Sequence, residues 1–228
     1  MLRRLVGLLL VAALAAGCGG SGGGSALPPD QALAQAQQHL ASTSGVRFSL
    51  VTDDLPDGVT ALRKADGVLT SAPAYQGTIT LPVMGFEAPI DVTAVDGKVW
   101  AKLPFTSSYQ QIDPAKYGVP DPATLLDPTT GIASLLPATT GATQGASHRG
   151  GADNRSIITD YHGTVPGATV ARLIPGTTGD VDATYTIDDQ GYLSQAVLTG
   201  RFNGDAHPAN TYTVTVSDYG TQQQITAP

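Results

Sequence analysis

The 228-residue chain is poor in cysteine, charge and glutamate, and each shortage removes a class of function. Cys18 is the only cysteine, so no disulfide can form within the chain and the folded body must rest on its apolar core. The four histidines, His39, His148, His162 and His207, are scattered with no H-x-x-x-H pair, which leaves a zinc site without a donor set. Glu87 is the one glutamate, so a glycosidase-type pair of carboxylates would have to come from aspartates, most of which stand in turn and cap positions. Ser147-His148 lies in Gly-rich text that reads as solvated loop. No run of Lys or Arg extends beyond Arg63-Lys64, which argues against a nucleic-acid partner, because neutralising phosphates takes a basic stripe. Nothing calls for a cofactor or a metal. The sequence reads as non-enzymatic.

No apolar run reaches the roughly 20 residues of a spanning helix; the run from Leu5 to Ala16 is 12 residues long. Its surroundings give it another meaning. Arg3 and Arg4 precede it and Ala15-Ala16-Gly17-Cys18 follows, the order of a secretory signal peptide over residues 1–17. A lone cysteine at the cut resembles a bacterial lipobox, although Ala15 stands where leucine is more usual. Cys18 is therefore expected to be the lipidated first residue of a mature chain of 211 residues. Loss of Arg3 and Arg4 takes the net charge from −7 to −9, so anionic headgroups offer no attraction and attachment must come from the acyl chains on Cys18. Several chains anchor stably where one is marginal. The expected location is the outer face of the cell membrane after export. Residues 18–29, rich in Gly and Ser, read as a flexible tether. Two motif matches are discounted: Gly17-Cys18-Gly19-Gly20-Ser21-Gly22 fits a dinucleotide-loop pattern but has no strand before it, and Asn154-Arg155-Ser156 is a chance glycosylation sequon.

The body, residues 30–228, reads as one α+β domain. Asp30 is expected to cap a helix over 31–40 whose apolar stripe is Leu33, Ala36 and Leu40. Strand patterns follow at 46–52, 62–71, 75–83, 86–95, 99–103 and 109–112, with Asp57-Gly58, Asp66-Gly67 and Asp96-Gly97 as turns. Two short helices are expected at 122–126 and 128–136, the second stopped by Pro137. Residues 141–151 read as a mobile loop. Strands return at 155–161, 180–188, 192–202, 211–219 and 222–226, with a short helix at 167–174 and turns at 189–191 and 203–205. A long antiparallel sheet with helices on one face results.

Alternation places Gly77, Ile79 and Leu81 on one face with Ile90, Val92 and Ala94, and Thr78, Thr80, Asp91 and Thr93 on the other. Small residues, Gly77, Ala94, Ala101 and Ala133, leave room that a packed core would fill.

Asp96-Gly97-Lys98-Val99-Trp100-Ala101, then Asp121-Pro122-Ala123-Thr124-Leu125-Leu126-Asp127-Pro128-Thr129-Thr130-Gly131-Ile132-Ala133, resembles the mycobacterial LppX/LprA/LprF/LprG lipoprotein family. Leu193-Ser194-Gln195-Ala196 and Val214-Thr215-Val216-Ser217-Asp218-Tyr219-Gly220 extend the likeness to the C-terminus. The resemblance implies a curved half-barrel sheet with helices on its concave face and an enclosed apolar cavity. It also implies acylated membrane lipids (phospholipid, triacylglycerol or lipoglycan) as cargo and a major-facilitator transporter as partner. Parity and helix position then nominate Gly77, Ile79, Leu81, Ile90, Val92, Ala94, Val99, Leu125, Ile132, Leu135, Leu136, Val170 and Leu173 as cavity walls. A solid-cored lipoprotein that binds protein or glycan is the alternative, with Trp100 and the tyrosines as its aromatic surface.

Overall fold

In the computed structural model, which describes residues 26–83, 86–117, 119–150 and 156–228, eleven strands form one antiparallel sheet. Helix α1, Pro29–Ser42, comes first. The first meander is β1 (Gly45–Val51), β2 (Lys64–Thr70), β3 (Ala74–Val83), β4 (Phe86–Val95), β5 (Lys98–Lys102) and β6 (Gln110–Ile112). Short 3₁₀ turns at Pro122–Thr124 and Ile132–Ser134 and helix α2, Leu135–Ala138, lead to the second meander. This is β7 (Thr140–Gly150), β8 (Ser156–Val165), helix α3 (Gly167–Val170), β9 (Thr178–Asp188), β10 (Leu193–Arg201) and β11 (Asn210–Ser217). The strand order β6-β5-β4-β3-β2-β1-β11-β10-β9-β8-β7 joins the two meanders through β1 and β11, with Phe48 opposite Val216.

The curved sheet has its helices on one face, where a single apolar core forms. Ala32, Leu33, Ala36 and Leu40 of α1 are buried there, and α1 packs on α2. The helix begins at Pro29 with Pro28 as N-cap, so Asp30 sits inside the first turn and makes no side-chain cap. Proline at the first helical position loses no intrahelical bond, and Asp30 favours the helix N-terminus by its charge instead.

Several local expectations are corrected by pairing that the local text does not carry. The stretch 141–151 is not a mobile loop over its described residues, 141–150, because β7 occupies Thr140–Gly150 and pairs with β8 from Thr140↔Thr164 to Gly150↔Ser156; Gly151 lies outside the described residues. Its residues are exposed or half-buried throughout, so an edge strand wetted on both faces shows no hydrophobic period. Asp66-Gly67 is not a turn but lies inside β2, with Gly67 opposite Gly77. Asp57-Gly58 falls in a twelve-residue connection, 52–63, too long for a tight hairpin. Residues 222–226 form no strand. They run as an irregular strap in which Gln223 Nε2 donates to Gln76 Oε1 at 2.7 Å and Ile225 is buried. On that convex face Val68 and Thr93 are also buried, Thr93 on the face that alternation sets opposite Ile90, Val92 and Ala94. The two helices expected between 122 and 136 shrink to 3₁₀ turns and the four-residue α2, which contains Pro137 rather than ending before it. In so short a helix the proline nitrogen has no hydrogen bond to lose. Asp96-Gly97 does make the β4–β5 turn, with φ of 54° and 67°.

Candidate functional site

The concave face is built in rows across β1 to β5, and burial falls from one end of the rows to the other. The first row, Val46, Leu69, Tyr75, Ala94 and Val99, is closed, with at most 3 % of any residue exposed. The second is Phe48, Gly67, Gly77, Val92 and Ala101, where the two glycines are half-buried. In the third, Leu50, Ala65, Ile79 and Ile90, the side chains of Leu50 and Ile79 are half-open. Beyond them Leu81 pairs with Ala88, both half-buried, and the sheet ends.

The closed end is sealed by α1 and the β9–β10 turn. Gln35 lies against Gly191, His39 Nε2 meets Gln190 O at 3.1 Å, and the His39 ring stacks on Tyr192 with centroids 3.9 Å apart. Connection 52–63 lies at the open end and is pinned to β11. The Thr211 N–H donates to both Asp54 carboxylate oxygens at 2.9 and 3.0 Å, and the Tyr212 hydroxyl donates to Leu62 O at 3.1 Å. Burial, and then the Asp54 charge, push the Tyr212 hydroxyl up to about 12, so it stays a neutral donor. Leu62 is thereby held against the core, half-buried.

The helical walls are set by the loop that follows Leu125-Leu126. Asp127 Oδ1 accepts from the hydroxyls of Thr129 and Thr130 at 2.7 and 2.9 Å and from their N–H groups at 2.9 and 2.8 Å. The Thr129 hydroxyl, and then these N–H groups, draw the Asp127 carboxyl down to about 2. The Gly131 N–H returns to Asp127 O at 2.9 Å and the Ile132 N–H to Leu125 O at 3.0 Å. A side chain at Gly131 would meet both of those carbonyls, so Asp127-Pro128-Thr129-Thr130-Gly131 is a structural signature that turns Leu126 and Ile132 inward.

Of the thirteen residues nominated as walls, eight are in the packed core: Ile90, Val92, Ala94, Val99, Ile132, Leu135, Leu136 and Val170, none more than 8 % exposed. Ile79, Leu81, Leu125 and Leu173 are half-buried against that core, and Gly77 is half-buried beside them. The space left by Gly77 is not vacant. The Tyr75 ring lies across Gly67 and Gly77 and donates its hydroxyl to Asp66 O at 3.1 Å; a Cβ on Gly77 would stand 2.6 Å from that hydroxyl. Tyr75 shares the parity of Gly77 and Ile79, a signal that could have placed it in the site from sequence. Among the described residues, a depression of about 20 Å³ beside Leu27, Ile157 and Tyr161 and an open groove of about 370 Å³ between Gln37, Pro128, Pro137 and Arg172 border none of the thirteen. In this conformation the wall side chains pack within one apolar cluster. Cys18 and the signal peptide lie outside the described residues. Among those described, no helix is long and apolar enough to cross a membrane, and no three His, Cys, Asp or Glu side chains gather as a metal site.

The sheet and its concave helices have known counterparts. LprF of Mycobacterium bovis superposes with a TM-score of 0.69 at 16 % identity, covering 88 % of this chain and 96 % of that one. The lipoprotein LppX of Mycobacterium tuberculosis gives 0.62 at 15 % identity, covering 87 % and 98 %. In sequence, the lipoarabinomannan carrier protein LprG of Mycolicibacterium smegmatis is 30 % identical over 97 % of this chain and 93 % of its own length. The LppX_LprAFG lipoprotein model matches residues 28–225. With fold and sequence in agreement over almost the whole body, the chain belongs to the LppX_LprAFG lipoprotein family.

Proposed function

We propose that the chain is a non-catalytic carrier in the cell envelope, exported, anchored through acyl chains on Cys18, and taking the acyl chains of membrane lipids or lipoglycans between the concave face and its helices. The observation that carries this reading is the graded face: an apolar wall closed at the α1 end and half-open at Leu50, Leu62, Ile79, Leu81 and Leu125. The relative named as a lipoarabinomannan carrier supports a lipoglycan cargo. A major-facilitator transporter in the same membrane belongs to the same proposal.

The physical case needs no catalyst. At about 0.8 kcal/mol per CH₂, bringing one long acyl chain into water costs on the order of 10 kcal/mol. Apolar walls of similar quality make the transfer nearly neutral. Because the core is packed in this conformation, loading requires the helical layer and Tyr75 to move off the sheet, starting at the half-open rows. The thirteen nominated walls then become the lining. The dense packing of eight of them favours a second reading, a solid-cored module that binds protein or glycan at its surface.

Native mass spectrometry with lipid extraction, on protein made in an actinobacterial host, separates the two. A saturable lipid adduct that is lost on Leu81→Trp, at a half-buried position, is the expected result. Gly77→Trp is unsuitable because Tyr75 and the Asp66 carbonyl already fill its space. A clean apo mass with no uptake of diacyl or triacyl lipid would leave the solid-cored module.

A further inference from the structure

The open end carries large apolar side chains that nothing in the fold covers. Phe86 is 78 % exposed where β4 leaves the β3–β4 hairpin, and Leu103 and Phe105 are 38 % and 109 % exposed on the β5–β6 connection. Register places them toward one end of the sheet: Phe86 pairs with Val83 at the hairpin end of β4, and Lys102, the last residue of β5, pairs with Asp91, five residues along β4, so that the chain of Leu103 and Phe105 leaves β5 toward that end. Leu81 and Ile79, the half-open residues of the concave face, lie just inside.

We propose that Phe86, Leu103 and Phe105 form a rim that inserts into the interfacial layer of a lipid bilayer and brings the open end of the sheet against it. This rests on the carrier reading for its purpose, and four observations carry it. Phe105 holds a left-handed backbone, φ 66°, uncommon for a bulky residue, and the turn behind it is tied by the Thr106 N–H and hydroxyl on Leu103 O at 3.1 and 2.7 Å. Its ring is thus presented outward by a bonded turn. The apolar groups project from the first residue of β4 and from the β5–β6 connection as separate tips, a form suited to insertion among lipid headgroups rather than to burial against a flat partner. No basic patch lies nearby: Arg63 Nε faces Glu87 Oε1 at 3.6 Å, Lys102 stands opposite Asp91, and connection 52–63 carries the exposed Asp53, Asp54 and Asp57. The attraction is therefore apolar, and neutral lipid suffices. Finally, the rim continues inward as Leu81 and Ile79, so an acyl chain leaving a bilayer there meets apolar surface without crossing water. Ala26 and Leu27 lie beside Asp188 and Asp189 at the closed end, away from the rim.

The lone cysteine makes the test direct. In residues 18–228 carrying Cys18→Ser, single cysteines at Phe105→Cys, Phe86→Cys and, at the exposed β2–β3 turn of the closed end, Ala72→Cys are labelled with an environment-sensitive fluorophore. With phosphatidylcholine vesicles, labels at 105 and 86 are expected to shift to the blue and to be quenched by brominated acyl chains. The label at 72 stays unchanged, and added salt makes no difference. Labels at 105 and 86 that respond no more than the label at 72 overturn the proposal. The triple variant Phe86→Ser, Leu103→Ser, Phe105→Ser, at exposed positions the core does not use, is expected to weaken vesicle partitioning on the order of a hundredfold. Its lipid loading from detergent micelles stays at the parent level. A parent that inserts into vesicles but never loads lipid refutes the carrier reading and leaves the rim standing.

Discussion

Gly77→Ala adds one methyl group and is expected to cost the fold about 3–5 kcal/mol. The new Cβ would lie inside the van der Waals envelope of the Asp66 carbonyl oxygen, 2.6 Å from the Tyr75 hydroxyl and 2.7 Å from Gly67 Cα. Carbon contacts settle near about 3.5–4.0 Å, so β2 and β3 must part by about 1 Å at their centre. That weakens the ladder bonds flanking Gly67 and Gly77, about two at about 1 kcal/mol each, and detaches the Tyr75 hydroxyl from Asp66 O, about one more. Residual overpacking adds about 1 kcal/mol. Urea unfolding followed by circular dichroism measures the loss. Gly97→Ala is the control, since a Cβ there meets nothing within 4 Å and costs only the left-handed backbone at φ 67°, about 1–2 kcal/mol. Tyr75→Phe in the Gly77→Ala background is expected to recover about 1 kcal/mol by removing the hydroxyl clash. A Gly77→Ala loss no larger than that of Gly97→Ala would mean that the strands do not approach so closely and that Tyr75 does not cover the pair.

Other consequences follow from the same geometry. Leu136→Ala, at a residue 1 % exposed, is expected to cost about 2–5 kcal/mol, whereas Leu81→Ala at the open end costs about 1 kcal/mol or less; equal losses in thermal unfolding would contradict the gradient. Asp127 titrates at about 2 in the fold against about 3.9 in the unfolded chain, so its stabilisation is complete above about pH 4 and is lost as pH falls towards 2. Unfolding midpoints between pH 5 and pH 2.5 should therefore fall less for Asp127→Asn than for the parent. The β7 amides that bond β8 are expected to resist hydrogen exchange, and exchange as fast as a random coil there would restore the loop reading. Ending the chain after Thr221 removes buried Ile225 and the Gln223–Gln76 bond and should cost about 1.5–3 kcal/mol in urea unfolding.

Much of the fold is written locally. Strict alternation gives β3 and β4 their faces, and the pairing of Ile79 with Ile90 and Gly77 with Val92 follows that parity. Asp96-Gly97 specifies its turn because positive φ is a property of the residues themselves. Where the chain departs from its local text, a distant partner decides. Edge strand β7 carries no period, since neither of its faces is fully buried, and only the backbone of β8 makes it a strand. Asp66-Gly67 reads as a turn by composition but serves in β2 because Gly77 and Tyr75 need the space.

The sequence by itself determined the class, one α+β body with an antiparallel sheet, and much of the set of residues facing the core. Alternation assigned strand faces because side-chain parity is local. The tertiary structure alone decided which of the core-facing side chains are sealed, that Tyr75 fills the space of Gly77, and that Phe86, Leu103 and Phe105 stand exposed. Burial and exposure depend on neighbours brought from far along the chain, and residue order holds that information only through the completed sheet.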